Sequence, residues 1–268
     1  MITPIDPHTH PLWATPWPTM IIVVAYFAFV LKLGPDFMKN RKPYDLRGII
    51  KAYNIIQIIY NALSLFCAMH FLFFLDTYDM SCVTALPMDH PHKDYERLLC
   101  NIYGFNKFMD LTETIFFVLR KKDKQITFLH LFHHSIMASM GYFLAAYHGY
   151  GGLLFPACTL NAIVHVMMYF YYYLSSVNPS VQKSIWWKKY ITLIQLVQFV
   201  TVEVLVIKTL LHPNCNYSKF MMWLCFIVNP IFIGLFSNFY IKNYILSPKK
   251  SSKLTQDSSD SKSQEKVN

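Results

Sequence analysis

Apolar runs long enough to cross a lipid bilayer divide this chain, and no other feature restricts its fold as tightly. A transmembrane helix needs about 20 predominantly apolar residues, somewhat fewer where its ends snorkel. Seven such stretches occur, at roughly 17–34, 54–75, 105–119, 126–147, 152–174, 187–211 and 217–241. The third is the most polar, with Lys107, Asp110 and Glu113 inside it. Backbone groups in hydrocarbon must be satisfied within the segment, so these runs are expected to be helices. The sequence therefore predicts an all-α, polytopic membrane protein. A short segment, 1–16, precedes a seven-helix membrane domain, 17–245, and a polar tail, 246–268, follows it. Only 15% of residues are charged, against about 25% in soluble domains, too few to coat a soluble globule. Trp13 and Trp17, Trp186 and Trp187, and Tyr240 and Tyr244 flank span ends, where amphipathic rings settle among headgroups.

The net charge of +9 would suit a nucleic-acid partner if it formed one basic face. It does not, and no nucleic-acid partner is expected. The basic residues form short clusters between apolar runs, the pattern of a polytopic membrane protein. The loops after spans one, three and five, the tail and Lys32 hold 19 of the 24 Lys and Arg, and the opposite side holds Lys93 and Arg97. Basic loops stay cytosolic, so the N-terminus is expected in the lumen and the C-terminus in the cytosol, which requires an odd number of spans. Residues 1–16 lack a basic n-region, so the first span rather than a cleaved signal peptide would direct insertion. The tail, rich in Lys, Ser, Asp and Gln, is expected to be disordered.

Six cysteines occur, none in a CxxC or zinc-like spacing. Cys82, Cys100 and Cys215 fall on the side where disulfides form. A Cys82–Cys215 bridge is the candidate pairing, with free thiols as the alternative. Asn216-Tyr217-Ser218 in the same loop is a glycosylation sequon.

Polar groups inside spans are costly and mark function by default. Here they are ordered. His130, His133 and His134 lie at i, i+3 and i+4 on the fourth span, one face of a helix. Asn161, His165, Met168, Tyr169 and Tyr172 form a stripe on the fifth, with Cys158 on it. The third offers Lys107, Asp110, Glu113 and Thr114, and the sixth Gln195, Gln198 and Glu203. A single His or Asn in a span can be interhelical glue; three histidines on one face exceed that role. Imidazole serves as base, acid, nucleophile or metal ligand. Membrane enzymes use such clusters either in histidine boxes around di-iron or in acyl transfer and carbon-acid chemistry. No second HxxHH box exists, and three or four ligands fall short of a two-metal shell, so no metal is expected. A seven-span receptor or carrier fits the span count but leaves the histidine face unexplained.

The motif series is specific. Lys107-Phe-Met-Asp110-Leu-Thr-Glu113-Thr114, Phe117-Val-Leu-Arg-Lys-Lys122, His130-Leu-Phe-His133-His134, Asn161-Ala-Ile-Val-His165-Val-Met-Met168-Tyr169, Trp186-Trp187-Lys188-Lys189-Tyr190 and Gln195-Leu-Val-Gln198 follow in that order. Together they resemble the ELO family of very-long-chain fatty acid elongases over about residues 20–245. One departure stands out: the family pattern Lys-x-x-Glu-x-x-Asp has its two acids exchanged here, Asp110 then Glu113.

The resemblance implies a 3-oxoacyl-CoA synthase of the endoplasmic reticulum membrane. Such an enzyme condenses acyl-CoA with malonyl-CoA to 3-oxoacyl-CoA, CoA and carbon dioxide, with no cofactor. It implies catalysis by His133, His130, His134 and His165. His133 would attack the thioester, with Cys158 as the rival nucleophile, and Lys107, Asp110, Glu113, Asn161, Tyr169, Gln195 and Gln198 would support the site. Arg120, Lys121, Lys122, Lys183, Lys188 and Lys189 would face the CoA phosphates. An acyl tunnel would run between the helices, with membrane lipid, a second copy and other elongation-cycle enzymes as surroundings. A di-iron desaturase or hydroxylase is the alternative reading.

Overall fold

The computed structural model describes residues 5–75, 77–78 and 82–246, and every regular element among them is helical. In chain order the long elements are α1 (Pro16–Met38), α2 (Arg47–Phe74), α3 (Lys93–Asp110), α4 (Thr112–Leu119), α5 (Phe128–Tyr147), α6 (Leu154–Val177), α7 (Ile185–Leu211) and α8 (Lys219–Leu246). Five of them, α1, α2, α6, α7 and α8, are long and apolar enough to cross a membrane. The protein is a multi-pass membrane protein. The rods expected as spans three and four, α3–α4 and α5, are helical too but lie outside those five.

Local sequence explains the boundaries. Pro16 starts α1, where its missing N–H costs nothing. Pro35 lies inside the same rod and cannot donate to the preceding turn, and a π-helical turn at Phe29–Leu33 directly precedes Gly34 and Pro35. Thr127 caps α5, its hydroxyl accepting from the backbone N–H of His130 at 3.2 Å, which holds the first histidine on the opening turn. Gly149, in the left-handed region at φ +82°, ends α5 by donating its N–H to the Leu144 carbonyl at 2.8 Å, a terminus suited to glycine.

Packing closes a ring. α2 lies along α6, α6 touches α7, α7 runs along α8, and α8, α5, α3 and again α2 meet in turn, while α1 packs outside against α5 and α4. The ring encloses the polar stripes of α3, α5, α6 and α7. One end carries the basic turns 39–46, 120–127 and 178–184; the other carries the N-terminal segment and the turns 148–153 and 212–218.

Three expected boundaries are corrected. The third helix begins at Lys93 rather than 105 and breaks at Leu111. Its first turns read as a loop because they carry four charges, yet three of these are buried in ion pairs. Lys93 contacts Glu96 at 2.6 Å, and Arg97 contacts Asp6 at 2.8 Å. Paired charges tolerate burial that single ones do not. At Leu111 the ladder shifts to i→i−3 bonds, Leu111 N–H to Phe108 O and Thr114 N–H to Leu111 O, both 3.2 Å. α2 begins at Arg47 rather than 54, and α8 reaches Leu246 rather than 241. The polar tail expected to be disordered lies outside the described residues.

Cys82 and Cys215 are joined by a disulfide that spans 133 residues of sequence, with Cα atoms 5.5 Å apart. Cys67, Cys100, Cys158 and Cys225 are free. Long-loop crosslinks stabilise chiefly by restricting the unfolded chain, by about 2–5 kcal/mol. Cys82→Ser is therefore expected to lower the thermal midpoint of the detergent-solubilised protein, and a midpoint equal to that of the parent under non-reducing conditions would contradict this.

Candidate active site

The ring interior holds a cavity of about 430 Å³ open toward the basic end. All four candidate histidines line it, His130, His133 and His134 from α5 and His165 from α6. Glu113, Asn161, Tyr169, Gln195 and Gln198 also reach its wall. A second cavity of about 110 Å³ adjoins it through His133, Asn161, Gln198 and Phe199, and is otherwise mostly apolar, with Lys107 at its edge. A third, about 50 Å³, adjoins the second through Cys100, Tyr103, Gly141, Leu144, Leu154 and Cys158. The three lie in series from the polar chamber toward the disulfide-bearing end.

His133 is the one candidate histidine in the walls of both the polar chamber and the first apolar cavity. Its ring meets Phe232 at 5.3 Å and Phe236 at 6.1 Å between centroids, both edge-on. Among the described residues no side chain hydrogen-bonds its ring nitrogens. The other histidines are held from behind. His130 Nε2 and Thr114 Oγ1 are hydrogen-bonded at 2.7 Å, and Thr114 Oγ1 and Tyr26 OH at 2.8 Å. The rings of His130 and His134 stand 4.2 Å apart, and His134 Nε2 is 4.0 Å from Glu113 Oε2.

His165 faces a buried ion pair. Lys107 Nζ donates to Asp110 Oδ2 at 2.9 Å and to Asn161 Oδ1 at 3.1 Å, and lies 3.5 Å from His165 Nδ1. The same Nδ1 is 3.7 Å from Asp110 Oδ2; an ammonium only donates, so the shorter contact to Lys107 favours the tautomer with Nδ1 accepting and the ring proton on Nε2. Asp110 Oδ1 accepts from Gln57 Nε2 at 3.0 Å and from Tyr169 OH at 2.8 Å. The exchanged acids therefore divide their work. The shorter Asp110 is fully engaged by its neighbours, whereas Glu113 Oε1, buried on the chamber wall, has no hydrogen-bond partner among the described residues.

Several supporting residues came from outside the expected set. α2 contributes Tyr53 and Gln57: Gln57 Nε2 donates to Tyr53 OH at 2.9 Å, and Gln57 Oε1 accepts from Asn106 Nδ2 at 2.7 Å. Tyr103 OH donates to Asn161 Oδ1 at 3.0 Å, and Tyr26 reaches in from α1. A signal for α2 existed, since Asn54, Gln57 and Asn61 recur on one helical face and all three are buried.

Of the basic residues expected to face CoA, Lys188 lines the chamber, together with the neighbouring Lys124. Arg120, Lys121, Lys122, Lys183 and Lys189 belong to the same end but are not in its wall. Lys121 instead donates to the Lys39 carbonyl at 3.4 Å. Gln195 lines the chamber and makes a weak contact to Met168 Sδ at 3.8 Å. Cys158 lines only the two apolar cavities, not the polar chamber.

Residues 11–252 match the model of the GNS1/SUR4 (ELO) family. The chain is 54% identical over 253 residues to "Very long chain fatty acid elongase F" of Drosophila melanogaster, covering 94% of this chain and 98% of that one. It is 38% identical over 241 residues to "Very long chain fatty acid elongase 1" of Homo sapiens, covering 88% and 84%. It is 36% identical over 242 residues to "Very long chain fatty acid elongase 7" of Drosophila melanogaster, covering 90% and 73%. With its membrane helices, its histidine-lined chamber and a match over nearly its whole length, the chain belongs to the GNS1/SUR4 (ELO) family.

Proposed function

We propose that this protein is a very-long-chain fatty acid elongase that performs the condensing step, acyl-CoA plus malonyl-CoA giving 3-oxoacyl-CoA, CoA and carbon dioxide. The observation that carries the reading is the place of His133, where a polar chamber meets a mostly apolar cavity. An acyl thioester has the same division, an apolar chain on one side of its carbonyl and a polyanionic carrier on the other.

In this reading a His133 ring nitrogen attacks the thioester carbonyl. The C–S bond breaks, and CoA leaves as the thiol with the imidazole proton. Covalent capture splits one difficult step into two easier ones. Malonyl-CoA then loses carbon dioxide, its C–C electron pair remaining as an enolate. The enolate carbon attacks the acyl-imidazole carbonyl, the C–N bond breaks, and the leaving imidazolate takes a proton from water in the chamber, regenerating His133 as 3-oxoacyl-CoA forms. The Nε2–H of His165, oriented by Lys107, donates to the developing enolate oxygen; fixed donors of this kind act without reorganisation cost. His130, braced by Thr114, and His134 orient the incoming groups. Lys124 and Lys188 receive CoA phosphates at the chamber mouth.

The reading puts the protein in the endoplasmic reticulum membrane, and the basic bias of that end supports an orientation with the C-terminus cytosolic and the N-terminus luminal. The di-iron alternative is disfavoured by the family match and by the Lys107 ammonium 3.5 Å from His165 Nδ1, which would repel a cation. Purified protein given labelled malonyl-CoA and a panel of acyl-CoAs is expected to release labelled 3-oxoacyl-CoA two carbons longer than its primer. No labelled product with any primer would refute the reading.

A further inference from the structure

The innermost cavity is bounded by a side chain that does not come from the ring. Trp13 sits on a short helix, Pro11–Ala14, ahead of α1, and is 1% exposed. Its indole occupies a slot opened by two glycines on facing helices. A Cβ at Gly104 of α3 would stand 2.9 Å from indole Cζ2, and one at Gly141 of α5 would stand 2.9 Å from Cε3 and Cζ3. The ring thus enters between α3 and α5 where neither has a side chain, and it forms part of the cavity wall.

The indole is held firmly. It stacks on Phe108 with centroids 5.1 Å apart and planes 11° from parallel. Its Nε1–H donates to Asn101 Oδ1 at 2.8 Å, which also accepts from Tyr150 OH at 3.2 Å. Tyr150 OH in turn accepts from His10 N–H at 3.1 Å. The segment before it is tied by the Asp6–Arg97 ion pair at 2.8 Å and by Ile5 N–H to Ala145 O at 3.3 Å. The wall of the same cavity also carries small side chains, Ser64, Ala68, Thr159 and Ala162. The N-terminal segment therefore works as a bracket that presents one rigid, flat group to the innermost cavity of the series.

We propose that Trp13 is the specificity-determining stop of the acyl tunnel, the group against which the terminal methyl of the longest accepted acyl chain rests. This rests on the acyl-tunnel reading given above. One methylene in an apolar pocket changes discrimination by about tenfold or more, so replacing the indole by smaller groups lengthens the accepted chain in steps.

The test uses full-length protein, labelled malonyl-CoA and saturated acyl-CoAs spaced two carbons apart. Relative to wild type, Trp13→Phe, which keeps a ring against Phe108, and Trp13→Ala are expected to raise the rate ratio of the first rejected primer to the preceding accepted one. The rise is about tenfold or more, and larger for Ala. An unchanged ratio in either folded variant overturns the proposal while the condensing activity still stands. Absence of labelled product from wild type with every primer overturns the parent reading as well. A measurement on wild type does not depend on the variants folding. An acyl-CoA of the longest accepted length bearing a terminal diazirine is expected, on photolysis, to label the peptide containing Trp13. Labelling confined to other peptides overturns the proposal.

Discussion

His133→Ala is expected to abolish formation of labelled 3-oxoacyl-CoA, a fall of about ten-thousand-fold or more, because loss of a covalent nucleophile removes the route rather than one stabilising contact. The expectation is specific to this histidine. His130 is bonded to Thr114 and His165 lies against Lys107, whereas His133 is the histidine exposed to both the polar chamber and the first apolar cavity. His130→Ala is expected to cost less, about 100- to 10,000-fold, the usual range for a proton-transferring or orienting group. Cys158 as nucleophile would require the thioester to sit inside the apolar series, away from the chamber that would hold CoA. Turnover of His133→Ala within tenfold of wild type would reject the assignment.

The second large effect concerns the ion pair behind the histidines. Lys107 and Asp110 are buried together, 2% and 5% exposed at the side chain. Lys107→Met leaves the Asp110 carboxylate with Gln57 and Tyr169 but no cation. Breaking a buried pair on one side costs about 3–5 kcal/mol, so the detergent-solubilised variant is expected to unfold on the order of 10 °C earlier. Replacing both partners by apolar residues is often close to neutral. Lys107→Met with Asp110→Leu is therefore expected to recover most of the lost stability. Activity is not expected to return, since His165 loses the ammonium that directs its ring proton. A double variant that regained activity along with stability would show the pair to be scaffolding alone.

The membrane architecture and the histidine face were legible in the sequence because each depends on local pattern. Seven apolar runs announced helices, and the i, i+3, i+4 spacing of His130, His133 and His134 needs no tertiary contact to be seen. The early start of α3 was hidden because Lys93, Glu96 and Arg97 look solvated until their partners, Asp6 among them, are brought across the fold. Gln57 and Tyr53 were missed for a related reason. Gln57 lies in an apolar run with Tyr53 at its edge, and only the packing of α2 against α3 and α6 brings Gln57 to Asp110 and the Tyr53 hydroxyl to the Met109 carbonyl beside it. Trp13 reads from sequence as an interfacial anchor; its entry into the ring depends on Gly104 and Gly141 facing each other, a coincidence of two helices far apart in the chain. The exchange of the two acids was visible, but its consequence was not. Asp110 finds three partners, while Glu113 keeps one oxygen free on the chamber wall.

The most direct test of the acyl-imidazole mechanism is mass spectrometry of the wild-type protein incubated with acyl-CoA in the absence of malonyl-CoA, followed by peptide mapping. A mass gain equal to the acyl group, located on His133 and removed when malonyl-CoA is added, is the predicted result. An acyl adduct on Cys158, or full turnover from a protein that never carries an acyl group, would contradict it.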